Sequence, residues 1–493
     1  MDNLRENKPT ADILMTSMRA MGYSFESAIA DIVDNSVSAS AHNIWLRFPI
    51  DPLECYIAIC DDGFGKNKEE LFDAMKYGSE QKRGHRSAED LGRFGLGLKA
   101  ASLSQCRRLT VASKKDGEIS AYIWDLDVIL DKKDWYMIEC SAYQISMIKQ
   151  ISWLDNLDNG TVVVWENFDL IEKSSGNVYS ELNKYQEDTA DYLSLIFHRY
   201  LNRSGGNRIS IKVNNYELKG MDPFLENHSK TNVRKRIEIP VEDSEGIERM
   251  VLVQPYVLPF QKDLSPEDKK LSGGIENYRS KQGFYVYRNE RLIVWGNWFG
   301  RHRDELTKYA RIRVDIPNTL DDIWGIDIKK QSAKIPATIR NRLTRAVDEA
   351  MDIAIKAQKF RGRVDKSDEK IDYIWLPIKT REEQHTFSIN RDSKIFDLIK
   401  TKVDDETWAR IDMILEEIEN SLPYQQIYID KSQNKIDDKV DDERKAEIET
   451  KARMLISMAM DMGRGDKKSV IENLFNSEPF NNFPELKTKL LEE

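Results

Sequence analysis

The sequence predicts an α+β protein: a mixed sheet with helices on one face, then an α/β domain, then a mainly helical C-terminal region. Three observations support this class. Apolar residues recur at helical spacing in FESAIADIVDNSVSA, residues 25–39, and short strand-like runs follow that helix. From about residue 209 the apolar pattern has a period of two, which is typical of half-buried strands. Beyond about residue 392 the pattern is mostly helical.

The length and these changes of pattern predict three domains. A chain of 493 residues is long enough for roughly three domains of ordinary size. We place the domain boundaries where the periodicity changes, which gives domains over residues 1–202, 203–350 and 351–493. Within the middle domain, Asn214-Asn215 lies between two apolar runs and predicts a hairpin turn.

Composition excludes several classes of protein. The chain has 74 Lys and Arg against 84 Asp and Glu, a net charge of -10, which argues against binding nucleic acid by bulk positive charge. Its four cysteines form no C-x-x-C pair, so neither a zinc knuckle nor a redox motif is indicated. No apolar run approaches the roughly 20 residues that cross a bilayer, and the polar N-terminus is unlike a secretory signal. We therefore expect a soluble, cytoplasmic protein without a membrane partner.

The first candidate site is on the helix predicted over roughly 24–39. Asp31 and Asn35 are four residues apart, so their side chains project from one helical face. A carboxylate can accept a proton, and an amide oxygen is a hard ligand suited to Mg²⁺. The alternative is that both residues lie on a solvated helix face.

The second candidate is the sequence CDDGFG, where a predicted strand ends in an acid followed by two glycines. Gly63 and Gly65 allow positive φ and let the backbone approach a ligand closely. The carboxylate of Asp61 can accept a hydrogen bond from an exocyclic amine. The alternative is an ordinary acidic turn after a strand.

The third candidate is the glycine string GRFGLGLKAAS. Gly92, Gly95 and Gly97 precede an apparent helix, and backbone N–H groups at a helix N-terminus can hold a phosphate. Lys99 adds a positive charge. The string fits neither the Walker pattern nor the dinucleotide fingerprint, so by itself it indicates a phosphate site only weakly.

The fourth candidate is Gly160-Thr161 at the head of a predicted strand, where a hydroxyl can reach a base through a water molecule. The alternative is a β-branched residue that simply begins a strand. In order, the four motifs are a helix acid with an Asn, a strand ending in DxGxG, a glycine string before a helix, and GT before a strand. This series resembles the GHKL ATPase superfamily, whose nucleotide site is the Bergerat fold. Its members include gyrase, MutL, the large heat-shock chaperones, sensor histidine kinases and the MORC proteins.

The resemblance implies a site for ATP and Mg²⁺. It implies that Asn35 ligates the metal, that Asp61 accepts from the adenine amine, and that Asp31 is the general base. Related enzymes usually carry Glu at the position of Asp31, so the shorter side chain puts the rate in question more than binding. Lys99 is expected near the phosphates and Thr161 near the base. The remaining nucleotide contacts are expected from glycine backbone, the last three as a mobile lid: Gly63, Gly65, Gly92, Gly95 and Gly97.

The middle block resembles the transducer domain of MORC-like proteins. Two segments carry this resemblance, GFYVYRNERLIVWGNWFG and ISIKVNNYELKGMDPF. A sensor histidine kinase would require a His before the first helix, and this sequence has none there. The resemblance implies that a lysine in GIDIKKQSAKIP reaches the γ-phosphate. We favour Lys330 and leave Lys329 open, and the alternative is an exposed basic turn. The C-terminal 140 or so residues resemble nothing that we can name.

A prokaryotic-type MORC-like ATPase is therefore expected to be an ATP-gated homodimeric clamp that acts on DNA, in repair or in bacterial defence. A nuclease or methyltransferase partner is left open. The alternatives are a chaperone-like ATPase that remodels proteins, and a nucleotide-gated scaffold with little turnover.

Two groups of residues are candidates for DNA contact. Trp295, Trp298 and Phe299 could stack on bases or simply pack. Four basic strings could contact phosphates or be solvated: QKRGHR, RKR at 234–236, RHRDELTKYARIR and KAQKFRGR.

Overall fold

The fold is described from a computed structural model of the chain. It describes residues 10–20, 22–76, 97–260, 263–272, 277–299, 307–325, 371–379, 385–424, 442–463 and 465–493, with a few single residues between 335 and 348 and between 426 and 430. The chain divides into two compact units, residues 1–356 and 357–493. The finer boundary near residue 203 stays a prediction.

The first unit begins with a mixed sheet of eight described strands. Their order across the sheet is β5-β4-β3-β6-β2-β1-β7-β8, and every neighbouring pair is antiparallel except β1 and β7. The strands are β1 Asn43–Arg47, β2 Ile57–Asp61, β3 Arg108–Lys115, β4 Glu118–Asp125, β5 Ile138–Glu139, β6 Gly160–Glu166, β7 Ser210–Val213 and β8 Tyr216–Glu217.

Helices lie before, between and after these strands. They are α1 Ala11–Arg19, α2 Phe25–Ser38, α3 Lys68–Met75, α4 Gly97–Gln105, α5 Leu126–Lys132, α6 Ala142–Met147, α7 Asp169–Ser175, α8 Val178–Ile196 and α9 His198–Leu201. Phe197 separates α8 from α9. Short 3-10 segments cover Lys149–Asn156 and Gly205–Asn207.

Alternation along the strands divides their side chains between two cores. In β2, Ile57 and Ile59 join the large cluster that includes α2, α4 and α8, while Ala58 and Cys60 join a smaller cluster on the other face. Successive side chains of a strand point to opposite faces, so a central strand that is apolar throughout is buried on both sides. The longer helices thus share the face of the larger core.

The hairpin predicted at Asn214-Asn215 is formed by β7 and β8. Asn214 has φ 52, which suits Asn in a tight turn. Strand β7 pairs in parallel with β1, so this hairpin extends the first sheet rather than beginning the second.

The second sheet of this unit is also mixed. Its order is β10-β11-β14-β12-β13, with β9 paired to β11, and only β12 and β14 run parallel. The strands are β9 Asn232–Val233, β10 Ile237–Glu242, β11 Glu248–Val257, β12 Gly283–Arg288, β13 Arg291–Asn297 and β14 Ala310–Ile316, with helices α10 Pro266–Leu271 and α11 Asn277–Ser280 between them. A 3-10 segment, Asn318–Leu320, follows β14.

The second unit is mainly helical, as the sequence predicts. It has one antiparallel pair, β15 Trp375–Lys379 and β16 His385–Ile389. Its described helices are α12 Lys394–Lys400, α13 Asp405–Asn420, α14 Asp442–Asp461, α15 Lys467–Leu474 and α16 Pro484–Glu492. Apolar side chains of α12, α14, α15 and α16 form its core. The predicted α+β class is therefore confirmed. Within the described residues, every helix is too short or too polar to cross a membrane.

Candidate active site

Helix α2 is the central element of the candidate site. It begins after Ser24, whose hydroxyl oxygen accepts a hydrogen bond from the backbone N–H of Ser27 and caps the first turn. Asp31 is only 2% exposed, and its carboxylate accepts a hydrogen bond of 3.1 Å from the hydroxyl of Tyr23. A solvated helix face is therefore the wrong interpretation of Asp31. A carboxylate buried in this way is held in one orientation and is largely shielded from bulk water.

Asn35 lies one turn further along α2 and is half-buried. Its amide nitrogen Nδ2 is buried and has no hydrogen-bond partner in the described part of the chain. Buried polar groups are nearly always paired, because an unpaired one costs about 1–3 kcal/mol of desolvation. Within the described residues, the amide nitrogen of Asn35 is therefore unpaired, as expected of a side chain that contacts a ligand.

Asp61 lies at the end of β2, directly beside α2. Its carboxylate accepts a hydrogen bond of 2.8 Å from the hydroxyl of Ser36 and one of 3.0 Å from the backbone N–H of Gly63. Burial raises the pKa of Asp61, and these two hydrogen bonds oppose that rise. The neighbouring Asp62 has a different role, since it accepts from the backbone N–H of His42 and Asn43 and holds the chain before β1.

Close packing requires the glycines of the DxGxG turn. Gly65 has φ 63, and a Cβ on it would lie 2.0 Å from the carbonyl oxygen of Lys114. A Cβ on Gly63 would lie 2.8 Å from the Cβ of Ala39. No real side chain fits such distances without moving backbone, so the turn is packed tightly against neighbouring strands and α2. The role of its backbone toward a nucleotide stays a prediction.

Thr161 faces Asp61 across neighbouring strands, because the two residues are register partners in β6 and β2. Its hydroxyl lies 2.9 Å from that of Ser113, and Ser113 donates to the carbonyl oxygen of Gly160. With its single proton used in this way, Ser113 accepts from Thr161, and it also accepts from the backbone N–H of Lys66. The hydroxyl of Thr161 is therefore held beside Asp61 by the hydrogen bond that it donates to Ser113.

The glycine string is described only from Gly97, which is the first residue of α4. A Cβ on Gly97 would lie 3.5 Å from Oδ2 of Asp31, so the start of α4 lies against the helix acid. Lys99, by contrast, is buried and its ammonium donates to the carbonyl oxygens of Ala74 and Lys76 at the end of α3. Its predicted approach to phosphates stays a prediction. The other predicted residues lie outside the described residues: Gly92, Gly95, Lys329 and Lys330.

A comparison with protein families matches the part of the chain that contains these contacts. Residues 23–161 match the family described as histidine kinase-, DNA gyrase B-, and HSP90-like ATPase. The matched segment begins at Tyr23, which donates to Asp31, and ends at Thr161. Residues 23–161 form a GHKL-type ATPase domain.

The chain is also distantly similar to a MORC protein. The ATPase morc-1 of Caenorhabditis elegans is 35% identical over 97 residues, which make up 20% of this chain and 11% of that protein. The chain therefore matches only about a tenth of its relative's length. The resemblance inferred from the four motifs is confirmed for the domain.

The residues of the GHKL-type domain fit the nucleotide and metal that such ATPases generally bind. The side-chain oxygen of Asn35 is of the type that ligates Mg²⁺. Its amide N–H, unpaired within the described residues, is a donor that suits a phosphate oxygen. Asp61 has one carboxylate oxygen on Ser36 and the other on Gly63, and each carboxylate oxygen has a second lone pair. Asp31 and the first residue of α4 lie together, as a general base and a phosphate site would.

Several residues of this site were not predicted from the sequence. Ser36 and Ser113 are small polar residues without a motif of their own, and only their partners across the fold reveal their roles. Tyr23 precedes the capped helix and gives no local signal.

Asp34 is the largest omission. It is buried on α2 and forms an ion pair with Arg291 of β13, which lies far away in sequence. A charge at 34 and another at 291 within apolar surroundings are visible in one sequence, but their pairing is not.

The basic strings proposed for DNA contact differ in their surroundings. Lys308, Arg311 and Arg313 belong to the string RHRDELTKYARIR, yet all three are buried. Arg311 donates to backbone carbonyls, and Arg313 pairs with Glu226. Both proposed interpretations of these three residues are therefore wrong, because they are neither solvated nor open to a phosphate. Of the string at 234–236, Lys235 and Arg236 are exposed, and the strings QKRGHR and KAQKFRGR lie outside the described residues.

The aromatic residues proposed for base stacking are part of the protein core. The indole N–H of Trp298 donates to the side-chain oxygen of Gln282 at 3.0 Å, and its ring packs edge-on against Phe284. Trp295 packs against Tyr192 of α8. The packing interpretation is confirmed for these two tryptophans.

Proposed function

We propose that the chain binds ATP with Mg²⁺ and hydrolyses it, and that ATP closes two copies into a clamp on DNA. One arrangement supports the ATPase proposal above all others. Asp31 on α2 lies against Gly97 at the start of α4, while the next turn of α2 carries Asn35 and hydrogen-bonds through Ser36 to Asp61. A base, a metal ligand, an adenine acceptor and a helix N-terminus thus converge on one helix.

The proposed roles are those that the resemblance to GHKL ATPases implies, and these contacts support them. Asp31 takes the proton of the attacking water, and the Tyr23 hydroxyl holds its carboxylate in place. Asn35 ligates Mg²⁺, whose charge offsets that of the phosphates. Asp61 accepts from the adenine amine while Thr161 supports the base. The other contacts come from Lys99 and from glycine backbone near the phosphates, at Gly63, Gly65, Gly92, Gly95 and Gly97.

Lys330 is proposed to reach the γ-phosphate from the segment that follows the second sheet. The variant Lys330→Ala should then lower turnover without blocking nucleotide binding, since one charge that stabilises the transition state is lost. Lys329→Ala is the matched control, because it removes the same charge one residue away. If the Lys329 variant is the slower one, the role moves to Lys329. Equal rates for both variants and the wild type would exclude the role for this lysine pair.

The clamp proposal rests on the resemblance to GHKL proteins, which typically dimerise, and on the charge of the chain. With a net charge of -10 and with Lys308, Arg311 and Arg313 buried, an open monomer has little basis for strong DNA binding. Enclosure of DNA by a closed homodimer needs less positive charge than an open groove does. A repair or defence context, and a nuclease or methyltransferase partner, are part of the same proposal.

Steady-state ATP hydrolysis with and without DNA tests this proposal, together with sizing in a non-hydrolysable ATP analogue. We expect magnesium-dependent hydrolysis, a dimer that forms only with the analogue, and DNA binding that depends on nucleotide and weakens steeply with salt. Hydrolysis without DNA binding at any salt concentration would leave an ATPase with another substrate, such as a polypeptide. Absence of nucleotide binding would contradict the whole proposal.

One observation favours a second candidate, a nucleotide-gated scaffold with little turnover. Asp31 is one methylene shorter than Glu, and its carboxylate already accepts from Tyr23. A base must approach its water within about 2.6–3.2 Å, so a shorter and partly engaged carboxylate reaches it less well. Dimerisation by ATP itself, with the bound ATP recovered intact after hours, would identify the scaffold.

A further inference from the structure

The second sheet contacts helix α2 through the start of β13. The guanidinium Nε of Arg291 lies 3.2 Å from Oδ1 of Asp34, and both side chains are 1% exposed. Asp34 is adjacent to Asn35 in sequence and nearly one helical turn beyond Asp31. A residue of the second sheet is thus anchored in the helix that carries the proposed base and metal ligand.

This ion pair is sensitive to geometry because it is fully buried. Burial alone lowers the pKa of Arg291, but the charges of Asp34 and Asp31 and the phenol of Tyr192 raise it above its ordinary value. Removing one partner of such a pair leaves an uncompensated buried charge, so the two elements stay together or separate at high cost. Arg291 also donates to the carbonyl oxygen of Leu292, which restricts the direction of its side chain.

The turn that precedes Arg291 is held by helix α9 as well. Glu290 has φ 67, a backbone conformation that residues other than glycine seldom adopt. Arg199 and Arg203 both pair with its carboxylate, and the hydroxyl of Tyr200 donates to the carbonyl oxygen of Asn289. These contacts compensate for the unfavourable backbone conformation, so the β12–β13 turn is fixed both to α2 and to the segment of α9.

The other end of the turn leads toward the predicted lysines. Arg288 is buried and binds Asp321 with two hydrogen bonds, of 2.7 and 2.8 Å, in a bidentate arrangement. Asp321 comes eight residues before Lys329 in the chain. Ion pairs at Arg291 and Arg288 therefore connect α2, the β12–β13 turn and the segment that enters the predicted lysine loop.

We infer that Arg291, through its ion pair with Asp34, is a positioning residue for ATP hydrolysis. The pair fixes α2 to the second sheet, so Asp31 and Asn35 keep their orientation, and a movement of α2 on nucleotide binding is transmitted to the β12–β13 turn. The role inferred for this ion pair is exerted through α2. This inference rests on the proposed function, because it names a residue that the ATPase reaction needs.

The test compares four variants of the full chain: Arg291→Gln, Asp34→Asn, the double variant, and the control Arg311→Gln. Arg311 is an equally buried arginine of the second sheet, but its described hydrogen bonds all remain near that sheet, at Lys308, Ala310 and Tyr278. Each variant is measured for kcat and KM, for melting temperature, and for hydrogen exchange of residues 283–297 with and without a non-hydrolysable ATP analogue.

We expect Arg291→Gln and Asp34→Asn each to lower kcat about tenfold or more while KM changes less than about threefold. The double variant should be no slower than the slower single variant, since either change breaks the same contact. The analogue should slow exchange in residues 283–297 of the wild type, and this protection should be lost in both single variants. Arg311→Gln should have a lower melting temperature than the wild type, but it should keep the wild-type kcat and the protection of residues 283–297 from exchange.

Two outcomes would overturn the inference. One is an Arg291→Gln protein that binds the analogue and keeps both its kcat and its protection. The other is a double variant whose losses multiply, because Arg291 and Asp34 would then act independently. If Arg291→Gln does not fold, Asp34→Asn alone decides by the same measurements. A wild-type chain that binds no nucleotide would refute the proposed function itself, which is a different result from nucleotide binding without transmission to residues 283–297.

Discussion

The hydroxyl of Ser36 donates a hydrogen bond of 2.8 Å to the carboxylate of Asp61, and this contact joins helix α2 to the end of strand β2. It places the proposed adenine acceptor beside the helix that carries Asp31 and Asn35. The carboxylate is buried, and burial raises its pKa. Burial therefore disfavours the charged form of Asp61, and a carboxyl with a perturbed pKa inside a candidate site is typical of a group retained for function.

Asp61→Asn should raise stability at neutral pH and abolish binding of adenine nucleotides. Asp61 binds its proton more tightly in the native state than in the unfolded state, where its pKa is 3.8. The stability that Asp61 contributes therefore falls as pH rises from 3.8 through the raised native pKa. The Asn side chain still accepts from Gly63 and donates to Ser36, so it removes the charge at little structural cost. Urea unfolding of both proteins at pH values from about 4 to about 7 measures the effect. A variant whose stability difference from the wild type is the same at every pH would show that Asp61 does not titrate there.

Asp31→Asn should stop hydrolysis while ATP still binds. The amide keeps the shape of the carboxylate and its contact with Tyr23, but it cannot accept the proton of the attacking water. We expect turnover to fall by about 100-fold or more, with nucleotide affinity within about threefold of the wild type. Equilibrium binding of a fluorescent ATP analogue provides the control for affinity. Hydrolysis at the wild-type rate would exclude Asp31 as the base.

Asn35→Ala should lose magnesium-dependent nucleotide binding without losing stability. The Asn35 amide nitrogen has no hydrogen-bond partner within the described residues, so its removal relieves a desolvation cost instead of breaking a contact. We expect a free energy of unfolding within about 1 kcal/mol of the wild-type value. Calorimetric titration with ATP, with Mg²⁺ and with EDTA, measures the loss of binding. A large drop in stability would instead identify Asn35 as a structural residue.

The sequence predicts the elements that depend on local pattern and misses those that depend on pairing. The periodicity of 25–39 and the residues of the DxGxG turn were sufficient to predict α2 and the end of β2, because both signals lie within a few residues. The contacts of Ser36 with Asp61 and of Asp34 with Arg291 join distant segments, and a single sequence contains no information on such pairs. The burial of Asp31 and of Arg313 was missed for the same reason, since what covers a charged side chain is decided by the tertiary fold.

Gly65→Ala should destabilise the protein far more than Gly117→Ala, although both glycines have positive φ. Gly65 has φ 63 and a Cβ there would lie 2.0 Å from the carbonyl oxygen of Lys114, whereas Gly117 has φ 84 and open space around it. The backbone penalty for a left-handed alanine is about 1–2 kcal/mol and is common to both variants. Only Gly65→Ala adds a clash with backbone, which must separate the DxGxG turn from β3 and costs about 2–4 kcal/mol more. Urea unfolding of the two variants and the wild type measures the difference. Equal losses would mean that the turn can move away from Lys114, and the tight packing of this turn would then not constrain the site.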